Sequence, residues 1–158
     1  MKTRIILNGK KAGLKSVRDA ISETREQAPA VEVRTTYEGE VSGAAIVGAV
    51  CNGRQAGGGQ VLAPNACIND GLLDVLIVKD FSPRDLPQVI DEILNPSSEG
   101  QFAMLFQTPW VEMSSHGKIA PVNLDGEPYR SKVIRFEVLP GAIDLVLPEF
   151  CPMLQETH

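Results

Sequence analysis

The pattern of apolar and polar positions divides the chain into two parts at about residue 40. In the first part, residues 4–7 and 31–37 are predicted strands, and an apolar stripe after Ser16 predicts a helix between them. A strand, a helix and a second strand are the unit from which a parallel α/β sheet is built. Because two strands are too few for such a sheet, residues 1–40 are predicted to be an incomplete α/β fragment.

Beyond residue 40 the pattern is dominated by short strands. Turn residues separate them at close spacing, which is typical of an antiparallel β-sandwich. The predicted strands are residues 44–52, 73–79, 110–114, 122–125, 133–139 and 143–147. One helix interrupts them; it starts at Ser82-Pro83 and carries an apolar stripe that includes Val89. Residues 41–158 are therefore predicted to form a mainly antiparallel β-sandwich domain.

Composition and charge narrow the class of protein. The net charge of the 158 residues is −5, and no basic run exceeds Lys10-Lys11, so no nucleic-acid-binding surface is predicted. Cys51, Cys67 and Cys151 are odd in number and lack Cys-x-x-Cys spacing, which favours free thiols in a reducing compartment. No apolar run is long enough for a secretory signal or a transmembrane segment. The sequence therefore predicts a soluble, cytoplasmic protein.

A glycine cluster at residues 52–60 is the first candidate for chemistry. Its sequence is Asn-Gly-Arg-Gln-Ala-Gly-Gly-Gly-Gln. Successive glycines can turn backbone N–H groups toward an anion such as a phosphate. The cluster fits neither the P-loop nor the Rossmann pattern. A wide hairpin loop explains it equally well, so both interpretations stay open.

Two acidic motifs are the other candidates. Asp70 precedes an apolar strand, and a single carboxylate supported by backbone carbonyls suits a hydrated Mg²⁺ ion. An ordinary Asx-type turn is the alternative. Asp125 and Glu127 flank Gly126 at a strand end, where two acids on one face would suit a general base. The alternative there is a hairpin with Asp-Gly in the turn and a solvated glutamate.

Taken together, these segments resemble the bacterial lipid kinase family represented by YegS, which is related to the bacterial diacylglycerol kinases. The matching strings run in order along nearly the whole chain, at residues 6–10, 33–38, 52–60, 64–66, 68–73, 123–128 and 151–152. The most specific are Gly-Arg-Gln-Ala-Gly-Gly-Gly at 53–59 and Leu-Asp-Gly-Glu-Pro at 124–128. The resemblance implies an N-terminal α/β domain like that of NAD kinases and a C-terminal β-sandwich, with the active site between them.

The resemblance also implies a reaction, its substrates and its residues. The γ-phosphoryl group of ATP would pass to the hydroxyl of a phosphatidylglycerol- or diacylglycerol-like lipid at a membrane surface. Glu127 matches the family's proton acceptor, with Asp125 beside it, and Thr36 matches a nucleotide-contacting threonine. The matching Mg²⁺ ligands are the carboxylate of Asp70 and the backbone carbonyls of Cys67 and Leu72.

One part of the family pattern is missing. The nucleotide loop Gly-Gly-Gly-Asp-Gly-Thr occurs nowhere in the sequence, and sequence that resembles the family's β-sandwich domain follows directly after residue 40. Residues 1–40 are therefore predicted to be a remnant of the nucleotide-binding domain, and the 158 residues to bind ATP weakly or not at all. Two alternatives to the lipid kinase are a non-catalytic sandwich that binds a lipid headgroup or a protein partner, and an NAD kinase. The Leu-Asp-Gly-Glu-Pro string favours the lipid branch over the NAD kinase.

Overall fold

The computed structural model describes residues 30–36, 42–56, 59–116, 119–148 and 150–155. The predicted strand at 4–7 and the predicted helix after Ser16 lie outside these residues. The described elements are β1 (Ala30–Thr35), β2 (Ser42–Cys51), β3 (Gln55–Ala56), β4 (Gln60–Val61), β5 (Leu73–Lys79), a 3₁₀ turn (Pro83–Asp85), α1 (Leu86–Leu94), β6 (Ala103–Thr108), β7 (Trp110–His116), β8 (Ala120–Leu124), β9 (Glu127–Ser131) and β10 (Val133–Glu137). The described part of the chain is thus mostly antiparallel β-structure with one short helix, as the sequence predicts for its sandwich.

Six strands form one sheet in the order β10-β7-β1-β2-β5-β6, and the others pair as two hairpins, β3 with β4 and β8 with β9. The strand predicted at 31–37 is present as β1. Both of its neighbours, β2 and β7, run antiparallel to it. β1 therefore belongs to the same sheet as the sandwich strands. The domain boundary at residue 40 stays a prediction, and this pairing favours a boundary before β1.

The six-stranded sheet folds over so that its two halves face each other. Val111 on β7 packs in one buried cluster with Val75 and Ile77 on β5, although β1 and β2 separate these strands in the sheet. The pairing register of β2, the strand that the two halves share, shifts between Ala45 and Val47. Because a break in register bends and twists a strand, the shift is consistent with the two halves folding over the cluster that contains Val75, Ile77 and Val111.

The helix α1 covers the opposite face of β5 and β6. Its Val89 is buried against Leu76 and Val78 of β5. The helix starts where the sequence predicts: the backbone N–H of Ser82 donates to the carboxylate of Asp85 at 3.2 Å. Side chains of β5 are therefore buried on both faces of the sheet, which explains why its sequence is a nearly continuous apolar run.

Several elements differ from the prediction. The strands β3, β4, β6 and β9 have no counterpart among the predicted strands. The sequence of β6, Ala-Met-Leu-Phe-Gln-Thr, contains no Val or Ile and does not alternate strictly. The strand predicted at residues 143–147 is wrong, since these residues form none. Ile143, Leu145 and Val146 are exposed there. A strand needs a partner for its backbone groups, and none pairs with this segment in the described part of the chain.

Candidate functional site

One end of the six-stranded sheet brings together several of the predicted site residues. Thr36 directly follows β1, and Leu72 directly precedes β5. The last residue of β6, Thr108, pairs with the first residue of β5, Leu73. The hydroxyl oxygens of Thr36 and Thr108 are 3.0 Å apart. Thr36 and the loop before β5 therefore both adjoin the end of β6, Thr36 through Thr108 and Asp70 through Gln107, whose side chains lie on opposite faces of that strand.

The hydroxyl of Thr36 takes part in a small network. Thr108 is fully buried, and its hydroxyl donates to the carbonyl of Trp110 at 2.8 Å. The hydroxyl of Thr35 donates to Thr108 at 2.6 Å. Thr35 also reaches the carbonyl of Trp110 at 3.1 Å, so either hydroxyl can be the donor in the contact between Thr36 and Thr108. Phosphate oxygens only accept, so a phosphate contact by Thr36 requires that its hydroxyl proton is not directed at Thr108.

The loop that carries Asp70 is an Asx-type turn. Oδ1 of Asp70 accepts the backbone N–H of Leu72 at 2.9 Å, and Gly71 has a φ of +74° that glycine adopts without strain. The turn uses one carboxylate oxygen. The other, Oδ2, lies 3.5 Å from Nε2 of Gln107, at the long limit of a hydrogen bond. The turn and a metal-binding role of Asp70 are therefore compatible.

The donor atoms of this loop fit Mg²⁺ by their chemistry. The Asp70 carboxylate and the carbonyls of Cys67 and Leu72 are all oxygen donors, which this ion prefers, and Mg²⁺ usually keeps several waters beside one or two carboxylates. The thiol of Cys67 contacts the carbonyl of Asn65 at 3.7 Å. Among the described residues no group of three or more His, Cys, Asp or Glu side chains could hold a metal ion. Any metal here would therefore rely on backbone carbonyls and water as well as on Asp70.

A row of polar side chains beside this loop, with a buried acid at its centre, is absent from the sequence predictions. Cys51, Asp74 and Gln107 are paired across β2, β5 and β6, so their side chains lie on one face of three adjacent strands. Asp74 is only 2% exposed. Nε2 of Gln107 lies 3.4 and 3.5 Å from its two carboxylate oxygens, as well as 3.5 Å from Asp70. The sequence signal for this row is the single charge of Asp74 inside the apolar run of β5.

The surroundings of this row change two pKa values. Burial raises the pKa of Asp74, the negative charge of Asp70 raises it further, and the hydrogen bond from Gln107 only partly offsets them. Burial also raises the pKa of the Cys51 thiol, with a smaller contribution from the charge of Asp74. Cys51 therefore stays a protonated thiol at neutral pH and is a poor nucleophile.

The acidic pair at Asp125 and Glu127 lies on the β8–β9 hairpin. Leu124 pairs with Glu127, so Asp125 and Gly126 alone form the turn, with φ values of 45° and 102°. Positive φ at both turn residues is typical of a type I′ hairpin. The expectation that Asp125 and Glu127 share one strand face is wrong, because Asp125 is in the turn.

Both acids are exposed, and the sheet topology separates them from the other site residues. Within the described residues the β8–β9 hairpin does not pair with the six-stranded sheet. Thr36, Asp70 and Leu72 therefore adjoin the end of β6 and the start of β5, and within the described residues no hydrogen bond joins them to Glu127.

The glycine cluster forms a hairpin in its described residues. β3 and β4 pair across it, and the backbone N–H of Gly59 donates to the carbonyl of Ala56 at 3.1 Å. The hairpin interpretation is therefore confirmed for these strands. Gly57 and Gly58 lie outside the described residues, and an anion site there stays a prediction.

Regarding membranes, no helix in the described ranges has the length and apolar character needed to cross a bilayer.

Comparison with known proteins places the chain among lipid kinase relatives. The sequence model of the family described as "YegS C-terminal NAD kinase beta sandwich-like domain" matches residues 12–147. The chain is 54% identical over 123 residues to "Probable lipid kinase YegS-like" of Shewanella frigidimarina, covering 78% of this chain and 40% of the relative. It is 49% identical over 107 residues to the protein of the same name in Chromohalobacter salexigens, covering 67% and 34%. The chain thus spans about a third to two fifths of the length of these curated relatives.

A solved structure shares the fold. A diacylglycerol kinase from Bacillus anthracis strain Sterne superposes with a TM-score of 0.55 at 22% identity, over 77% of this chain and 42% of that one. At this identity the likeness shows the fold alone. It confirms the prediction of a sandwich like that of diacylglycerol kinases.

Proposed function

Because the chain belongs to the family of YegS C-terminal NAD kinase beta sandwich-like domains, we propose that it is the sandwich part of a lipid kinase. The proposed reaction transfers the γ-phosphoryl group of ATP to the hydroxyl of a phosphatidylglycerol- or diacylglycerol-like lipid. The observation that carries the proposal is that Thr36 and the Asp70 loop both adjoin the end of β6, through Thr108 and Gln107 respectively. The lipid kinase names of the relatives support the reaction class.

The metal-binding part of the proposal rests on the Asx turn. Asp70, with the carbonyls of Cys67 and Leu72, would hold Mg²⁺. When bound, the ion supplies positive charge that offsets the charge of the transferring phosphoryl group. The hydrogen bond from Leu72 to Oδ1 fixes the carboxylate of Asp70 and leaves Oδ2 with only the long contact to Gln107. A fixed, incompletely paired oxygen is suited to a ligand role.

The proton transfer is assigned to Glu127. The lipid hydroxyl oxygen forms a bond to the γ-phosphorus, while the bond from that phosphorus to the bridging oxygen breaks and ADP leaves. The hydroxyl proton passes to the carboxylate of Glu127. Glu127 lies at the exposed start of β9, within reach of a substrate that arrives from outside the sheet. Asp125, in the adjoining turn, would orient the acceptor hydroxyl or a water beside it.

The nucleotide would be held only in part by the described residues. Thr36 is their matched nucleotide contact, and its hydroxyl lies 3.0 Å from that of Thr108. The relatives are more than twice as long as the stretch that this chain matches. We place the remaining ATP contacts in that additional length.

A second candidate function follows from the engaged hydroxyl of Thr36. With the hydroxyl of Thr36 bonded to that of Thr108, the described residues would present the Asp70 loop without a free nucleotide contact. A non-catalytic sandwich that binds a lipid headgroup or a protein partner would have this arrangement.

Radiolabel transfer from ATP to lipid vesicles separates the two candidates. The 17.1 kDa protein is assayed alone and after fusion to the nucleotide-binding part of the Shewanella relative, with the intact relative as positive control. We expect label in phosphatidylglycerol or diacylglycerol with the fusion, and its loss with EDTA. No label with a folded fusion would contradict the proposed kinase. Vesicle binding without transfer would favour the non-catalytic sandwich.

A further inference from the structure

Residues 151–155 lie against the loop that carries the candidate metal ligands. This 151–155 segment belongs to no strand, yet backbone atoms from it bond to that loop. The N–H of Ile68 donates to the carbonyl of Met153 at 2.9 Å. Ile68 is the residue after Cys67 and is two residues before Asp70, so the contact falls between two proposed ligands.

Asn69 makes the most specific contact to the segment. Its Oδ1 accepts the backbone N–H of Gln155 at 2.7 Å, and its Nδ2 donates to the carbonyl of Gln155 at 3.1 Å. This reciprocal pair fixes the orientation of the amide, because a flipped amide would face donor with donor and acceptor with acceptor. The residue directly before Asp70 is therefore held by two hydrogen bonds to a single residue 86 positions away.

Arg54 joins the same two segments from the glycine-cluster hairpin. Its Nε donates to the carbonyl of Ala66 at 3.0 Å, and a terminal guanidinium nitrogen donates to the carbonyl of Pro152. Its own carbonyl accepts the N–H of Leu62 at 3.1 Å. The rigid fork of a guanidinium can span two carbonyls in this way, which the single ammonium of lysine cannot reproduce. Arg54 thus connects the hairpin, the loop and the 151–155 segment by hydrogen bonds.

These contacts attach the loop to other segments of the chain, while the Asx turn of Asp70 is a hydrogen bond within the loop itself. Asn69 and Ile68 are fixed on one side of Asp70, and the N–H of Leu72 is fixed on the other. A loop restrained on both sides does not lose further conformational freedom when its oxygens gather around an ion. Packing alone would not require the reciprocal Asn69 pair.

We propose that the 151–155 segment clamps the Asp70 loop and pre-organises its oxygen ligands, with Arg54 and Asn69 as positioning residues. The role in Mg²⁺ affinity rests on the proposed function of the loop. The clamp itself does not, because it is a property of the hydrogen bonds observed without any ligand. Loss of one clamp contact should therefore free the loop first and weaken ion binding as a consequence.

Hydrogen exchange measured by mass spectrometry tests the clamp directly. Asn69→Ala removes both bonds to Gln155, and we expect amides of residues 66–72 to exchange roughly tenfold faster, as the loss of two net hydrogen bonds predicts. Asn65→Ala is the matched control, since the Asn65 side chain has no hydrogen bond within the described part of the chain. Equal exchange of this loop in wild type and Asn69→Ala would overturn the proposal.

Calorimetric titration with MgCl₂ tests the consequence for the ion. We expect Asn69→Ala to bind Mg²⁺ roughly tenfold more weakly than wild type. Faster exchange with unchanged Mg²⁺ affinity would overturn the positioning role. Absence of Mg²⁺ binding in wild type would contradict the proposed ligands, while faster exchange in the same samples would still support the clamp.

A second pair of variants covers the case in which Asn69→Ala does not fold. Arg54→Lys breaks the bridge to Ala66 and Pro152 while keeping the charge. Arg84→Lys, at an exposed position in the 3₁₀ turn, is its control. Faster loop exchange and weaker Mg²⁺ binding only in Arg54→Lys would support the clamp, and identical behaviour of the two variants would contradict it.

Discussion

Replacing Asp70 by asparagine removes the charge of the proposed metal ligand and leaves its turn intact. The Oδ1 of asparagine can still accept the Leu72 N–H, which lies 2.9 Å from this oxygen in the wild type. The contact to Gln107 is long, at 3.5 Å, and contributes little. Without Mg²⁺ the free energy of unfolding should therefore change by less than about 0.5 kcal/mol.

The expected effect of the ion follows from mass action. A ligand that binds only the native state stabilises it by RT ln(1 + [L]/Kd). With a Kd of about 1 mM, roughly 10 mM Mg²⁺ adds about 1.4 kcal/mol. For a chain of this size, that corresponds to a rise in Tm of roughly 3–6 °C. Asp70→Asn should lose most of this rise, because the remaining donors are neutral carbonyls.

Thermal unfolding with and without MgCl₂, at matched ionic strength, measures the difference. Asp144→Asn is the control, since Asp144 is exposed and lies in a segment remote in sequence from the loop. Wild type and Asp144→Asn should show the full shift, and Asp70→Asn should show less than about a third of it. Equal shifts in all three proteins would refute the metal role and leave Asp70 as a turn residue.

Three further predictions concern stability and nucleotide binding. Burial alone would raise the pKa of Glu92, but its hydrogen bonds, led by the N–H groups of Ala103 and Phe102 at 2.8 Å each, outweigh burial and lower it. Glu92→Gln should therefore lower the free energy of urea unfolding by about 1 kcal/mol at pH 7, and this loss should fade as the pH falls below about 4. The exposed control Glu99→Gln should leave the free energy of unfolding unchanged. A loss that does not depend on pH would contradict the prediction. The raised pKa of Asp74 has the opposite effect on stability. The native state holds the Asp74 proton more firmly than the unfolded state does, so wild type loses stability as pH rises from about 4 through the raised pKa of the native state. Asp74→Asn should be more stable than wild type at pH 7 and no more stable at pH 3, and equal stability at both would contradict this. Calorimetry on protein of verified 17.1 kDa mass should detect no micromolar ATP binding, and micromolar affinity would be the contrary result.

The strands that could be predicted are those whose order of apolar and polar residues matches which of their side chains are buried. β5 is buried on both faces and reads as an apolar run, and α1 shows its start in Ser82-Pro83. β6 could not be predicted, because its apolar residues do not alternate and its pairing with β5 is not visible in its own sequence. The strand predicted at 143–147 fails for the reverse reason: it has strand-forming residues and no pairing partner in the described ranges. Pairing is a long-range property that a local pattern does not contain.

The candidate site shows the same division. Asp70 and Thr36 stand out in the sequence through the resemblance, and the structure adds that both adjoin the end of β6, Thr36 through Thr108 and Asp70 through Gln107. Asp74 could have been noticed as the one acidic residue in an apolar strand, but its partner Gln107 lies 33 residues away. The contact of Asn69 with Gln155 spans 86 residues and has no local signature. Residues that position a site from a distance are therefore found only in the folded chain.

The rate of lipid phosphorylation by a Glu127→Gln variant tests the central claim most directly. The measurement uses the same fusion with the Shewanella relative, and Glu137→Gln, at an exposed position on β10, is the control. If Glu127 accepts the hydroxyl proton, its replacement should lower turnover by about 10²–10⁴-fold, with unchanged thermal unfolding. Asp125→Asn should lower turnover less. A Glu127→Gln enzyme within about threefold of wild type, as expected for an ordinary surface substitution, would contradict the assignment.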